Sequence, residues 1–342
     1  MTAHPPTTSI GVLGTGTYLP LRIRTNADVA RTTGMSAEWI SERTGVHSRH
    51  VAAPDQAASD LAAAAVRSAA DAAGIDVGDL DLLVCATSTP DELGPSTACR
   101  IQALVGASHA VALDVGAACS GWLFAVKVAH DWLLGDDRAR YAAAVGVEAY
   151  SKFLDPADRG TSVLFADGAA ATILGPVSAP NGFADFAFGS DGTLADWVLI
   201  PGGGSRRPAS AATLAAGEHR IRMDGRAVSR FITEVFPRLI QDTVDRNGLR
   251  IEDIACVVAH QPNPVVLRRL GDQLGIAADR MVIVGDRVGN IGAASAPFAL
   301  AEAARQSLRP GDRVLLAVFG AGMTWGSSLL TWGNTSTEGH QP

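Results

Sequence analysis

The sequence predicts an α/β protein built from two similar halves, and two observations support this prediction. Strand-like apolar segments alternate with helical segments along the chain, which is typical of α/β folds. In addition, AGIDVGDLDLLVCATSTP, with its glycine at Gly74, resembles NGLRIEDIACVVAHQPNP, with its glycine at Gly248, so the two segments lie 174 residues apart. We therefore expect one half over residues 1–179 and a second over residues 180–342.

The predicted elements of the first half follow in chain order. They are a strand SIGVLGTGTYL, an Ala-rich helix over 59–73, a buried strand DLLVCATS, a helix near 96–104, a strand AVALDVG and a helix that begins after Cys119. The 174-residue offset carries Cys119 to Ala293, in a turn that again leads into an Ala-rich segment. Glycines and serines interrupt the apolar run from Val314 to Trp332, which favours two buried strands joined by a turn over a membrane span.

Composition excludes several classes of protein. Hydrophobic residues make up 47% and charged residues 18% of the 342 residues, which suits a globular protein with a large core. The net charge is −7 and the basic residues are scattered, so a nucleic-acid partner is not expected. The N-terminus has no signal-peptide pattern, and we expect a cytoplasmic protein without a membrane association. The four cysteines have no metal-binding spacing and are expected to be reduced thiols.

Three polar residues at predicted strand ends and turns are candidates for chemistry. Cys119 stands where a strand leads into a helix, and a helix N-terminus favours the thiolate, so we expect a lowered thiol pKa and a nucleophile. His260 ends the strand ACVVAH and can move a proton, while Asn290 follows in the matching turn of the second half. The repeat gives a reason for these residues to meet in one cleft. A core thiol, a structural histidine and a turn asparagine are the alternatives.

Two glycine-rich segments have different interpretations. FGAGMTWGSS, over 319–328, offers backbone N–H groups for an oxyanion hole, with a plain glycine hairpin as the alternative. GTGTYLP begins like a dinucleotide-binding fingerprint, but Leu19 replaces the third glycine and Pro20 follows. This departure argues against a nicotinamide-dependent oxidoreductase.

Eight ordered motifs give the sequence a resemblance to a known family. They are GTGTYLP, TNADV, SAEWISERTGVHSRH, DVGAACSGW, DPADRGTSVLFADGAAA, AHQPN, GNIGAAS and FGAGMTWGS. With these motifs the chain resembles the β-ketoacyl-acyl-carrier-protein synthase III enzymes, which are condensing enzymes of the thiolase fold. The resemblance implies two duplicated α/β halves in a layered αβαβα arrangement and a homodimer.

The resemblance also implies a role for individual residues. Cys119 would take an acyl group from acyl-CoA, and His260 and Asn290 would promote the decarboxylation of a malonyl thioester and hold the enolate oxygen. The oxyanion hole of the acyl-enzyme would consist of the N–H groups of Cys119 and Ala321, with alanine where the family usually has glycine. Neither a metal nor a cofactor is implied. The residues implied for coenzyme A binding are Trp39, Arg43, Arg159, Gly225 and Asn263.

Two departures from the family pattern concern the partner and the substrate. Basic residues that normally dock an acyl carrier protein are replaced by Val265, Asp272 and Gln273, although other cations, Arg230, Arg268 and Arg269, are retained for carrier docking. Gly94 stands where many members carry a phenylalanine that closes the acyl pocket of the partner subunit. From Gly94 we expect a longer or branched starter and an enzyme that primes a polyketide or other specialised pathway.

Two other functions stay open on the sequence alone. An acyltransferase of the same fold would load Cys119 but pass the acyl group to a hydroxyl, an amine or a carrier without forming a carbon–carbon bond. A non-catalytic protein that binds an acyl carrier is the second alternative, although the complete set of cysteine, histidine and asparagine argues against it.

Overall fold

Thirteen strands and ten α-helices form the part of the chain that the structure, a computed structural model, describes: residues 9–333. The strands are β1 (Ser9–Tyr18), β2 (Arg22–Thr25), β3 (Ser48–Val51), β4 (Leu82–Ala86), β5 (Val111–Val115), β6 (Ala142–Ala149), β7 (Asp167–Val177), β8 (Gly182–Ser190), β9 (Val198–Leu199), β10 (Arg222–Met223), β11 (Cys256–Ala259), β12 (Arg313–Gly320) and β13 (Thr324–Thr331). The helices are α1 (Asn26–Thr33), α2 (Ala37–Thr44), α3 (Ala58–Ala73), α4 (Thr97–Val105), α5 (Gly121–Gly135), α6 (Ala211–Ala215), α7 (Gly225–Arg246), α8 (Pro264–Gln273), α9 (Gly285–Val288) and α10 (Ser295–Gln306). The elements predicted in the first half and the two strands predicted over 314–332 are confirmed.

The two large sheets repeat one strand order. The first runs β1-β7-β6-β4-β5 and the second runs β8-β13-β12-β11. The strand directions match as well: β4 and β6 are parallel, and so are the equivalent strands β11 and β12. The other equivalent pairs are antiparallel in both sheets. The first sheet has one further parallel pair, β4 and β5. The shared topology confirms that the chain contains two copies of one α/β unit.

Side-chain alternation builds five layers. In β4, Leu82 and Val84 face a core shared with α5 and α10, whereas Leu83 faces a second core beneath α3 and α4. Similarly, Val314 of β12 faces the central core, and Leu315 faces a third core beneath α7 and α8. Because successive strand residues point to opposite faces, both faces of each sheet are covered. The order is helices, sheet, helices, sheet, helices, which confirms the layered αβαβα arrangement.

The repeat breaks at one strand, and the break positions a site residue. Shifting β5 by 174 residues gives 285–289, where the second half forms the short helix α9 instead of an edge strand. The elements that follow match again, since short 3₁₀ turns at Ala118–Ser120 and Gly292–Ala294 lead into α5 and α10. The second half therefore reaches the position equivalent to Cys119 through a helical turn that ends beside Asn290.

Close packing explains the glycines that looked like a nucleotide-binding fingerprint. A Cβ atom on Gly14 or Gly16 would overlap the backbone of α3 at Ala69 or Ala65, so these glycines let the helix lie directly on β1. The proposed division into residues 1–179 and 180–342 stays a prediction; it passes through the connection between β7 and β8. Over residues 9–333, no helix is both long and apolar enough to span a bilayer.

Candidate active site

Cys119 lies in a tight turn at the floor of a cavity of about 1370 Å³. The turn joins β5 to α5, and its preceding residue, Ala118, has a φ of 45°, a left-handed conformation that is strained for alanine. The end of β12 presses against this turn, because a Cβ on Gly320 would lie 2.7 Å from the Cys119 nitrogen and 2.8 Å from that of Ser120. Because Gly320 has no side chain, the end of β12 lies directly against the Cys119 turn. Ala321, which follows Gly320, also lines the cavity.

His260 reaches the same cavity from the second half. It directly follows β11, is only 3% exposed and packs edge-on against Phe319, with 5.2 Å between ring centroids. Its Nδ1 atom lies 2.7 Å from the Ser295 Oγ at the start of α10. That hydroxyl also lies 2.8 Å from the Gly292 carbonyl. Its single hydrogen goes to only one of these partners, so the contact fixes the position of the ring and is compatible with the proton of the neutral ring on either nitrogen.

Asn290 is fixed by both halves of the protein. Its backbone N–H donates to the Leu164 carbonyl and its carbonyl accepts from the Ala166 N–H, each at 2.9 Å. Its side-chain Oδ1 accepts the N–H of Gly292 at 2.9 Å. Since the oxygen is engaged and the residue lines the cavity, the Nδ2 amide is the group left to donate there. The predicted meeting of Cys119, His260 and Asn290 in one cleft is thus observed.

Burial sets the charge of two of these residues. It raises the pKa of the Cys119 thiol to about 12, with Glu148 as a further cause, so the expected lowering of this pKa is wrong. The helix N-terminus predicted the opposite direction because sequence reasoning omitted the loss of hydration. Burial also lowers the pKa of His260 to about 3. His260 is therefore a neutral imidazole and Cys119 a thiol at neutral pH.

Two groups near Cys119 were missed in the sequence: a phenol that lines the cavity, Tyr150, and a fully buried carboxyl group outside its lining, Glu148. Glu148 near the end of β6 accepts hydrogen bonds from the Ser88 N–H at 3.1 Å, the Thr89 hydroxyl at 3.0 Å and the Ala293 N–H at 3.4 Å. Burial raises its pKa to about 8. The Tyr150 Oη lies 3.8 Å from the Cys119 Sγ. An acidic residue at the end of the apolar run AAAVGV was the available signal for Glu148.

The five residues expected to bind coenzyme A all line this cavity: Trp39, Arg43, Arg159, Gly225 and Asn263. Trp39 is 40% exposed, which leaves its ring free to stack on a planar group. Asn263 caps α8 by accepting the Val266 N–H at 3.1 Å, and its amide donates to the Arg43 carbonyl at 3.2 Å.

Of the four residues expected to dock a carrier or shape the acyl pocket, two line the cavity and two lie outside its lining. Arg230 and Arg269 line the cavity with two acidic neighbours, Glu42 and Asp224. Arg268 lies outside the lining and pairs with Asp286 at 3.3 Å. Gly94 also lies outside it, in a loop where a Cβ would meet no atom within 4 Å. Within residues 9–333, no group of three or more histidine, cysteine, aspartate or glutamate side chains is arranged to hold a metal ion.

Comparison with known proteins identifies the family. The model of 3-Oxoacyl-[acyl-carrier-protein (ACP)] synthase III matches residues 113–192, and the model of its C-terminal region matches residues 244–332. A beta-ketoacyl-[acyl-carrier-protein] synthase III of Caldanaerobacter subterraneus is 40% identical over 323 residues, covering 94% of this chain and 97% of that protein. The acetoacetyl CoA synthase NphT7 of a Streptomyces species is 43% identical over 324 residues, covering 94% of this chain and 98% of that protein.

The fold leads to the same family. The crystal structure of the 3-oxoacyl-(acyl carrier protein) synthase III of Pseudomonas aeruginosa superposes with a TM-score of 0.88 at 37% identity, covering 95% of this chain and 99% of that one. The duplicated sheets, the cavity that Cys119, His260 and Asn290 share and these similarities agree. The chain belongs to the β-ketoacyl-acyl-carrier-protein synthase III family of thiolase-fold condensing enzymes.

Proposed function

We propose that this enzyme loads an acyl group from acyl-CoA onto Cys119 and condenses it with a malonyl thioester by decarboxylation. The observation that carries the proposal is the convergence of Cys119 with His260 and Asn290 in one cavity. A nucleophile alone would suffice for simple acyl transfer. A neutral imidazole and an amide donor beside it suit a second, decarboxylating step.

In the first half-reaction, the Cys119 Sγ attacks the thioester carbonyl of acyl-CoA. The new bond joins Sγ to the acyl carbon, the bond from that carbon to the CoA sulfur breaks, and the thiol proton passes to the departing CoA thiolate. The N–H groups of Cys119 and Ala321 stabilise the oxyanion of the tetrahedral intermediate, and Gly320 keeps the two segments in contact. The thiol pKa of about 12 means that proton transfer accompanies the attack.

In the second half-reaction, a malonyl thioester loses carbon dioxide. The electron pair of the broken carbon–carbon bond forms an enolate, whose carbon attacks the acyl carbonyl on Cys119. The bond to Sγ then breaks, the β-ketoacyl thioester leaves and the thiolate takes a proton from solvent. The Asn290 Nδ2 amide donates to the enolate oxygen, and His260 is a neutral ring beside it. Two successive half-reactions give ping-pong kinetics.

The mouth of the cavity suits coenzyme A. Trp39 and Arg159 would enclose the adenine ring, because an exposed indole and a guanidinium both stack on flat bases. Arg43 would contact the phosphates, and Gly225 and Asn263 would flank the pantetheine arm. The acyl-CoA is a substrate in this scheme, and no metal or organic cofactor takes part.

The acceptor side includes a carrier and a second subunit. We propose that an acidic acyl carrier protein, holding the malonyl group, docks on exposed arginines at the cavity mouth, Arg230 and Arg269, with Arg268 as a peripheral contact. We also propose a homodimer in which β5 pairs with its copy. This strand is at the edge of the first sheet, its first residue Val111 is exposed, and so is Leu93 in the loop between β4 and α4. The substrates and reduced thiols suit a cytoplasmic enzyme that primes fatty-acid or polyketide synthesis.

Release of labelled carbon dioxide tests the condensation. Enzyme, acetyl-CoA and malonyl thioester labelled in the free carboxyl group are mixed, and the released label is counted for the wild type and for His260→Ala and Asn290→Ala. We expect release from the wild type and a loss of about 100-fold or more in the variants, since one oxyanion donor contributes 10²–10³ in kcat. Acylation of Cys119 without any released label would overturn condensation and favour simple acyl transfer.

A further inference from the structure

Part of the cavity wall beside Cys119 is apolar. A small hydrophobic cluster underlies this part, and its members that line the cavity are Tyr150, Phe165, Val198, Ile200, Ile221 and Met223. The polar residues His260 and Asn290 line the same cavity, and the Asn290 backbone pairs with that of Phe165. Burying an alkyl chain is favourable against apolar side chains, whereas an alkyl chain packed on His260 and Asn290 would leave their polar groups without partners. An acyl chain on Sγ therefore extends toward the apolar cluster.

Tyr150 is the member of this cluster that contacts the nucleophile. Its Oη lies 3.8 Å from the Cys119 Sγ, and the residue is 5% exposed. Carbon atoms in contact are 3.5–4.0 Å apart, so no carbon atom fits between the two. An acyl chain that leaves Sγ in this direction meets the phenol at once.

The phenol ring has no room to withdraw. It packs on Phe165 with 4.8 Å between ring centroids. On its other side it occupies the space that a Cβ on Gly292 would fill, since that atom would lie 2.5 Å from the Oη and 2.7 Å from the ring carbon Cε2. Gly292 is itself fixed by its hydrogen bond to Asn290. Displacing Tyr150 would therefore disturb the turn that carries Asn290.

We propose that Tyr150 is a specificity-determining residue that limits the starter to short acyl groups, with the two-carbon acetyl group favoured. This inference rests on the proposed function, because it concerns the acyl group that Cys119 accepts. It replaces the longer or branched starter expected from Gly94. Gly94 lies outside the cavity wall of its own chain, whereas Tyr150 touches the atom that carries the acyl group.

The test measures Cys119 acylation by intact-protein mass across a series of straight acyl-CoAs of two, four, six and eight carbons, with isobutyryl-CoA as a branched member. Wild-type enzyme should react with acetyl-CoA at least tenfold faster than with butyryl-CoA, because one methylene in a pocket changes selectivity by 10–200-fold. Tyr150→Leu should raise the rates with the four- and six-carbon groups relative to acetyl at least tenfold. Tyr150→Phe keeps the ring and should keep the wild-type order.

Two controls separate the possible failures. Tyr141→Leu makes the same change outside the cavity and should leave the order of substrates unchanged, and Tyr150→Met withdraws the ring in a second way if the leucine variant does not fold. Equal wild-type rates with acetyl and hexanoyl groups, or an unchanged order in a folded Tyr150→Leu or Tyr150→Met protein, would overturn the size limit alone. If no acyl-CoA modified Cys119, the proposed function itself would fail.

Discussion

Glu148 should make the stability of this protein fall as the pH rises toward 8. Its pKa rises from an ordinary value of 4.5 to about 8 in the folded protein, chiefly because the carboxyl group is buried. Between these values the folded state keeps a proton that the unfolded chain releases. The free energy of unfolding therefore decreases with pH across this window, since the unfolded state binds fewer protons than the folded state.

The magnitude follows from the difference of about 3.5 between the two pKa values. At 1.36 kcal/mol for each pH unit, the contribution amounts to roughly 5 kcal/mol between pH 4.5 and pH 8. Glu148→Gln removes the ionisation but keeps the shape. The new side-chain amide nitrogen, itself a donor, would face the donors of Ser88 and Thr89. This mismatch lowers the free energy of unfolding by the same amount at every pH, so the pH dependence of stability is the quantity to compare.

Urea unfolding from pH 5 to pH 8.5 measures this dependence in the wild type, in Glu148→Gln and in Glu252→Gln, an exposed glutamate that serves as the control. The stability of Glu148→Gln relative to wild type should rise by several kcal/mol across the range, while Glu252→Gln should run parallel to wild type. Parallel curves for all three proteins would refute the assignment of a buried, neutral carboxyl group to Glu148.

Three further substitutions test separate parts of the site. Gly320→Ala should abolish Cys119 acylation, because its Cβ would lie within 2.8 Å of two backbone nitrogens of the turn that carries Cys119. Overpacking of this kind costs about 1–3 kcal/mol. The control variant Gly204→Ala, whose Cβ would have no atom within 4 Å, should be acylated normally. Trp39→Ala should raise the KM for acetyl-CoA about tenfold with little change in kcat, the size of a lost cation–π or stacking contact; an unchanged KM would remove Trp39 from the CoA site. Ser295→Ala should lower malonyl decarboxylation about tenfold to 100-fold and spare acylation, since it leaves the His260 Nδ1 without its hydrogen-bond partner. An equal loss of both activities would instead indicate general damage.

The chemistry-bearing residues were predictable because they stand at the ends of elements that the sequence repeats. The 174-residue offset relates the turn of Cys119 to the turn beside Asn290, and periodicity alone locates the strand before His260. These positions can be predicted from the local sequence pattern and from the 174-residue offset between the two halves. The residues expected to contact coenzyme A came from family motifs, and they indeed line the same cavity.

The remaining features depend on contacts that a linear pattern does not contain. Glu148 and Tyr150 lie at the end of an all-buried strand, and their importance comes from the approach of Gly292 across the interface between the halves. The upward shift of the Cys119 pKa arises from burial beneath β12, whereas the sequence offered only the helix that follows the cysteine. The sequence also did not show that β5 lacks an equivalent strand in the second half, where α9 forms instead.

The most direct test of the proposed chemistry is the intact mass of the enzyme after acetyl-CoA and then a malonyl thioester are added in turn. We predict one acetyl adduct per chain, located on Cys119 by peptide mapping and absent from Cys119→Ala, which disappears on addition of the malonyl thioester as an acetoacetyl thioester forms. An adduct on another residue, or an acetyl-Cys119 that persists in the presence of the malonyl thioester, would contradict the role of this cavity as the site of condensation.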